Sequence, residues 1–425
     1  MNKKRKTVSL AGSVAAALAA MTLTTGTAFG QAVPGGTLDP LSIPKYVTPL
    51  VIPPVMDNSG TTNDYDIAVR QFKQQILPTG FPATTVWSYG PAGEDRDAVA
   101  ALTAPSPASQ FNYPAYTIEA TKDTTITVDW VNDLVDPATG NYRPHLLAVD
   151  RTLHWANPEG IPCDGGKFKD CRPDPTALTD PKILQEPYTG PVPVVVHVHG
   201  AHVGPESDGY PEAWWLPDAN NIPASYSTTG TLVNGYGIQT NGAPGVARFS
   251  YPNDQPSTTL WYHDHTLGMT RNNVYAGPAG FWLIRDAKTG ETGLVNGKLP
   301  GPAPVAGQGV LDLNTPGNSV RNSIREIPIV IQDRSFNEDG SLFYPANRAF
   351  FEGIGDGQTS GVDANPAVGL NIETIGGTPK GKDGGNSDIA PIWNPEAFFN
   401  VMVVNGASWP TLDVEPDLYR FRLLN

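Results

Sequence analysis

The chain has 425 residues and a formal net charge of −14, with 42 acidic residues against 28 lysines and arginines. That length excludes a small stapled scaffold and allows two or three domains, while the acidic balance disfavours a nucleic-acid partner. Only 16% of residues are charged, and 44 Gly and 42 Pro punctuate short apolar runs, so the composition favours a loop-rich all-β protein over a helical one.

At the start, Lys3, Lys4, Arg5 and Lys6 precede a small-residue apolar stretch from Val8 to Leu23 and then Ala28-Phe29-Gly30. Residues 1–30 read as a secretory signal, because the apolar stretch is short and a small-residue cleavage site follows it. The expected location is therefore secreted or periplasmic. No twin-arginine pair stands in the basic region, which favours general secretion. Residues 31–290 form an expected first β-barrel or sandwich domain, with strand candidates at Thr117–Asn132, Val192–His199, Leu260–His265 and Gly280–Arg285. Between them, Asn141 to Pro193 is rich in Pro, Asp and Gly and reads as an irregular surface excursion. It contains Cys163 and Cys171, for which a local disulfide is preferred over free thiols in an exported chain. No second Cys or His pair at zinc-finger spacing accompanies them.

Composition turns to Gly, Pro, Asn and Thr from Ala287 to Val320, and residues 291–325 are assigned to a linker. Residues 326–425 form a second β domain with strands expected at Ile327–Gln332, Phe398–Val404 and Tyr419–Leu424. A Gly-rich loop from Gly353 to Asp388 without apolar periodicity interrupts them. Three short strands are few for a domain, so the second domain is expected to be partial and the chain to be a fragment.

Side chains alternate faces along a strand, so residues two apart point the same way. In Val196-His197-Val198-His199 both imidazoles project from one face, and in Trp261-Tyr262-His263-Asp264-His265 the pair His263 and His265 does the same. A single His-x-His pair is usually structural or solvated. Here four of only seven histidines fall into two such pairs, each on a β-run, which points to a metal cluster. Imidazole suits copper, zinc, iron and nickel, so spacing alone does not name the metal. Asp264 alternates away from that face, which suits a structural hydrogen bond. His202, three residues after His199, reads as a loop histidine; His145 and His154 read as structural or solvated, and Trp214, Trp215, Tyr275 and Phe281 as core.

The surrounding residues narrow the choice. His197-Val198-His199-Gly200, Ser207-Asp208-Gly209-Tyr210-Pro211-Glu212-Ala213-Trp214, Trp261-Tyr262-His263-Asp264-His265, Thr270-Arg271 and Val274-Tyr275-Ala276-Gly277 resemble the multicopper oxidase family, in its bacterial laccase and bilirubin-oxidase-like branch. Asp333-Arg334-Ser335-Phe336, Asn405-Gly406, Trp409-Pro410 and Val414-Glu415-Pro416 extend the resemblance, which runs from about Leu41 to Asn425. It implies cupredoxin-like Greek-key domains, one complete and a second truncated. It also implies a trinuclear copper site in which His197 binds the type 2 copper, and His199, His263 and His265 bind the type 3 pair. The family reduces dioxygen to water with electrons from a small-molecule reducing substrate, such as phenols, pigments or metal ions. Asp208 falls where this branch carries an acidic residue near the cluster, and a carboxylate there relays protons through water; its alternative reading is a turn cap before Gly209. The family's type 1 copper ligands and remaining cluster histidines have no counterpart here, since no His or Cys follows His265. Two other classes stay open at this point: a non-catalytic copper-binding β protein, and a two-metal zinc hydrolase. The second lacks the Asp its motif needs at Ala201.

Overall fold

A computed structural model describes residues 37–57, 63–151, 153–180, 183–184, 188–239, 243–286, 301–344, 374–375, 378–379 and 399–425. The segment read as a secretory signal and nearly all of the Gly-rich stretch at 353–388 lie outside the described residues. Among those described, no helix is long and apolar enough to cross a membrane.

Eight strands build the first half: β1 (Asp64–Gln74), β2 (Thr84–Pro91), β3 (Ala115–Thr121), β4 (Ile126–Asn132), β5 (Val196–His199), β6 (Val246–Tyr251), β7 (Thr258–Asp264) and β8 (Ala279–Arg285). They form two four-stranded sheets, ordered β2-β1-β4-β6 and β3-β8-β7-β5. Pairing is parallel between β1 and β4 and between β3 and β8, and antiparallel elsewhere in both sheets. This is the all-β, cupredoxin-like sandwich expected of the chain. Burial in β4 alternates strictly, with Ile126, Val128, Trp130 and Asn132 buried and the residues between them partly exposed, as a half-buried strand requires. One core cluster holds Ile67, Trp87, Val128, Trp130 and Phe249 from one sheet with Ile118, Val198, Tyr262 and Trp282 from the other. Two of the polar atoms buried in this core find partners within it: Trp130 Nε1 donates to Tyr251 Oη at 3.0 Å, and Tyr262 Oη donates to the Tyr116 carbonyl at 2.7 Å.

The expected strand Thr117–Asn132 is two strands, β3 and β4, parted by a turn at Asp123, which takes a left-handed φ of 61°. Strand Val192–His199 is shorter than its apolar run suggests and begins at Val196, with Val194 making an isolated bridge to Trp215. The Asn141–Pro193 excursion is irregular but is not confined to the surface. Trp155, Ala156, Asn157 and Tyr188 are buried. Burial is sustained because Asn157 Nδ2 donates to the carbonyls of Ile161 and Phe168, and Asn157 Oδ1 accepts from Ile161 N–H, so the irregular backbone is satisfied locally. Cys163 and Cys171 form a disulfide across this loop.

Further on, β9 (Glu326–Phe336), β10 (Leu342–Phe343), the short pair β11 (Thr374–Ile375) and β12 (Thr378–Pro379), β13 (Val401–Val404), β14 (Ala407–Ser408) and β15 (Arg420–Leu424) follow. β9 pairs with β10, β13 and, in parallel, β15. Within the stretch assigned to a linker, residues 301–325 carry two short helices, Val310–Asn314 and Ser319–Ser323, whose Leu313 and nearby Ile324 bury against Leu50, Ile52 and Ile327.

This sheet covers part of the outer face of the β3-β8-β7-β5 sheet. Phe281 and Leu283 of β8 pack against Val330 and Leu424, which is why all seven β8 residues are buried. A charge cluster clamps the same contact: Glu326, 1% exposed, accepts from Arg285 Nη1 at 2.9 Å and Arg422 Nε at 2.8 Å, and Arg285 Nη2 reaches Glu119 at 2.5 Å. Such a buried group is tolerated only because each charge finds a partner. The cover does not bury β5, where His197 is half-buried and His199 exposed.

Candidate metal centre

Both histidine pairs sit on adjacent antiparallel strands. In the β5–β7 register His197 stands opposite His263, and His199 opposite Trp261. Cross-strand partners point to the same side, so register and alternation together place His197, His199, Trp261 and His263 on one face. His265 lies one residue beyond β7, and its N–H donates to the Val195 carbonyl at 2.8 Å, which holds the chain against β5. The four imidazoles converge: ring centroids are 5.5 Å apart for His197–His199, 5.5 Å for His197–His263, 4.9 Å for His197–His265, 5.7 Å for His199–His263 and 5.7 Å for His263–His265. One nitrogen from each of His197, His199 and His263 lies within 4.8 Å of the others.

Hydrogen bonds fix which nitrogens are free. His263 Nδ1 donates to the Asp264 carbonyl at 2.7 Å, and His197 Nδ1 donates to the Asp208 carbonyl at 2.5 Å. A neutral imidazole that donates through Nδ1 carries its lone pair on Nε2. His263 Nε2 is buried with no hydrogen-bond partner, and so is His265 Nδ1. Two orphaned ring nitrogens in one place are costly unless something binds them. Burial pushes the His263 pKa down to about 3, with repulsion from its three neighbours adding to the shift. It also lowers that of His265, which His197 lowers further while Asp208 opposes the change. Both rings are therefore neutral at neutral pH, the form a metal needs. An all-imidazole donor set, with Nδ1 of two rings held by carbonyls, fits a transition metal of the copper or zinc type.

The flanking residues divide as follows. Asp208 meets the cluster through both its carbonyl and its carboxylate, whose Oδ1 lies 3.4 Å from His197 Nδ1 with the side chain 37% exposed. Gly209 makes that approach possible: its φ is +75°, and a Cβ there would lie 2.1 Å from the Val196 carbonyl oxygen. Asp264 turns away from the rings and is fully buried. Its Oδ1 accepts from Thr266 N–H at 3.0 Å and Asn273 Nδ2 at 2.8 Å, and its Oδ2 from Val195 N–H at 3.2 Å and Thr266 Oγ1 at 3.0 Å. His145, half-buried beside Trp87, accepts from Leu147 N–H at Nδ1 and donates from Nε2 to Asn273 Oδ1, so it is structural. His154 contacts the Asp170 carbonyl, and exposed His202 pairs with Asp254 at 2.8 Å; neither joins the cluster. Trp214, Trp215, Tyr275 and Phe281 are core residues. The sequence reading did not single out Trp261 or the Asp264–Asn273–His145 chain. Alternation already put Trp261 on the histidine face, but nothing in the sequence brings Asn273 or His145 to Asp264.

No family model matches the chain. Among curated proteins, a laccase of Bacillus stratosphericus is 28% identical over 389 residues, covering 91% of this chain and 50% of the relative. A laccase of Bacillus subtilis (strain 168) is 28% identical over 391 residues, with the same coverage of both chains. The chain thus spans about half the length of these relatives. A solved laccase from Pediococcus acidilactici aligns over 90% of this chain and 46% of its own, with 17% identity and a TM-score of 0.44. With two converged histidine pairs and 28% identity to laccases over about nine-tenths of its length, the chain is similar to multicopper oxidases.

Proposed function

We propose that this chain carries half of the oxygen-reducing centre of a secreted or periplasmic copper oxidase, one that couples one-electron oxidation of a small reducing substrate to four-electron reduction of dioxygen. His197 would hold the type 2 copper, and His199, His263 and His265 the type 3 pair. The other cluster ligands and the type 1 site would come from polypeptide outside these 425 residues, since no His or Cys follows His265. Phenols, pigments or metal ions are the reducing substrates proposed. The observation that carries this reading is the pair of buried, unpartnered ring nitrogens on His263 and His265, within a group of four imidazoles.

Copper, when bound, supplies the one-electron redox steps that these side chains do not. The protein's own residues prepare the site. The Asp208 and Asp264 carbonyls hold the His197 and His263 rings in the tautomer that turns Nε2 toward a metal. Asp264, Thr266 and Asn273 pin the backbone around His263 and His265. The Asp208 carboxylate, partly exposed and close to His197, would pass protons from water toward the cluster.

Titration with Cu²⁺, followed calorimetrically and by electron paramagnetic resonance, tests the ligand set. Tight binding by the parent chain, lost in His197→Ala/His263→Ala and retained in His202→Ala, is the expected pattern. Equal affinity in all three proteins would refute the assignment. The zinc-hydrolase reading is disfavoured because Ala201 stands where its motif needs an Asp and His202 pairs with Asp254.

A further inference from the structure

His197 and His263 each have one ring nitrogen anchored by a main-chain carbonyl. His199 has no such anchor: among the described residues neither of its nitrogens makes a hydrogen bond, and its side chain is exposed at the end of β5. Rotation about the bond joining an imidazole to Cβ is soft, with broad wells. An exposed ligand without a hydrogen bond therefore needs another restraint if it is to meet a metal in a fixed orientation. Of the rings beside it among the described residues, the one most nearly parallel to it is the indole of Trp261, directly opposite in the β5–β7 register. The Trp261 ring lies 5.6 Å from His199 at an interplanar angle of 27°, and 4.0 Å from His263 at 26°. One indole is thus stacked, nearly parallel, on two of the four imidazoles.

We propose that Trp261 is a positioning residue for the metal centre: its indole face orients the His199 ring, doing by stacking what main-chain carbonyls do for His197 and His263, and it backs the His263 ring in the same way. This rests on the reading that His199 and His263 are metal ligands. Three features favour positioning over packing. Trp261 is only partly buried and is absent from the core clusters, while its neighbour Tyr262 is fully buried within them. Its cross-strand partner toward the interior of the sheet, Phe281, is already covered by Val330. Its ring contacts fall on the two ligands.

The test uses the 425-residue chain with Trp261→Leu, Trp261→Phe and His199→Ala, singly and with Trp261→Leu combined with His199→Ala. Cu²⁺ alone is the probe. Loss of a group that orients a ligand costs about 10–100-fold in metal affinity, so Trp261→Leu should weaken Cu²⁺ binding by about tenfold or more, and Trp261→Phe should recover most of it. Because Trp261 acts in part through His199, Trp261→Leu should cost less Cu²⁺ affinity in the His199→Ala background than in the parent, since coupled residues are not additive. A second readout needs no metal. In the parent, the His199 ring protons should show the upfield ring-current shift of an indole face and a nuclear Overhauser contact to Trp261, both lost in Trp261→Leu. If the parent bound no Cu²⁺, the ligand assignment would fail, and the NMR arm would still judge the stacking. Unchanged Cu²⁺ affinity in a folded Trp261→Leu, full additivity with His199→Ala, or an averaged His199 ring without the Trp261 contact in the parent would each overturn the proposal. Should the Leu variant not fold, the Trp261→Phe affinity and the parent spectrum decide it.

Discussion

Replacing Asp264 with Ala isolates the group that ties the two histidine-bearing strands together. Its carboxylate accepts four hydrogen bonds in a site with no solvent access. Two of the donors keep a second partner after the change: Thr266 Oγ1 and Asn273 Nδ2 each also donate to the Pro193 carbonyl at 3.1 Å. The other two, the main-chain N–H groups of Val195 and Thr266, would be stranded. A buried donor left unmade costs about 1–3 kcal/mol, so Asp264→Ala should destabilise the chain by about 2–6 kcal/mol, a large share of the roughly 5–15 kcal/mol that holds a domain folded. Asp264→Asn keeps one carbonyl oxygen for Thr266 and Asn273 but turns an amide toward Val195 N–H, so about half of that loss is expected. Urea denaturation followed by far-ultraviolet circular dichroism reads both as a lowered midpoint at constant slope. Midpoints for both variants within about 0.5 kcal/mol of the parent, a difference typical of an ordinary surface substitution, would refute the view that Asp264 is structural glue and would reopen a solvent-linked role for it.

Three further outcomes follow from the same geometry. His145 is held neutral by burial, which pushes its pKa down to about 3 from 6.5. The unfolded chain takes up that proton below pH 6.5 while the native chain refuses it, so stability falls as pH drops from 6.5 toward 3, by about 1.4 kcal/mol per unit. His145→Gln should flatten that limb in urea titrations at stepped pH, and an unchanged slope would count against the assignment. Gly209→Ala forces a side chain into a left-handed φ and against the Val196 carbonyl; a loss of about 2–5 kcal/mol and weaker Cu²⁺ binding are expected, and a neutral result would mean the Asp208 turn adapts freely. Finally, the copper-loaded 425-residue chain should show no intense blue copper–thiolate band and should not oxidise phenolic dyes, since its two cysteines are joined in a disulfide; dye turnover by the purified chain would contradict the half-centre reading.

The sequence exposed what depends on strand alternation and hid what depends on chain crossing. Val196-His197-Val198-His199 declares its two faces through period 2 alone, and the same logic turned Asp264 away from the rings, as the fold does. Strands β1, β2 and β6 were not singled out, because β1 (Asp64–Gln74) carries Arg70, Lys73 and three carboxamide or carboxylate side chains beyond its first residue among its apolar positions. Arg70 is nevertheless buried, its charge met by Asp133 at 2.7 Å and by two carbonyls. The depth of the 141–193 excursion was likewise invisible, since it depends on one side chain, Asn157, satisfying an irregular backbone from within. Local pattern predicts which way a residue points; it does not say which distant group will be there to receive it.

That distinction bears most directly on the metal centre, because two His-x-His pairs make one site only in one register. With His197 opposite His263, all four rings fall on the same face. A slip of one residue would set His197 against Tyr262 or Asp264 and send one pair into the core. What prevents the slip lies on the opposite face and just past the strand end: Asp264 accepts from Val195 N–H, and His265 N–H donates to the Val195 carbonyl, so one residue of the β5 approach is gripped from both sides by the segment that carries His263 and His265. The geometry of the four histidines is therefore set by main-chain pairing at Val195, and Asp264, on the face away from the rings, holds one side of that pairing.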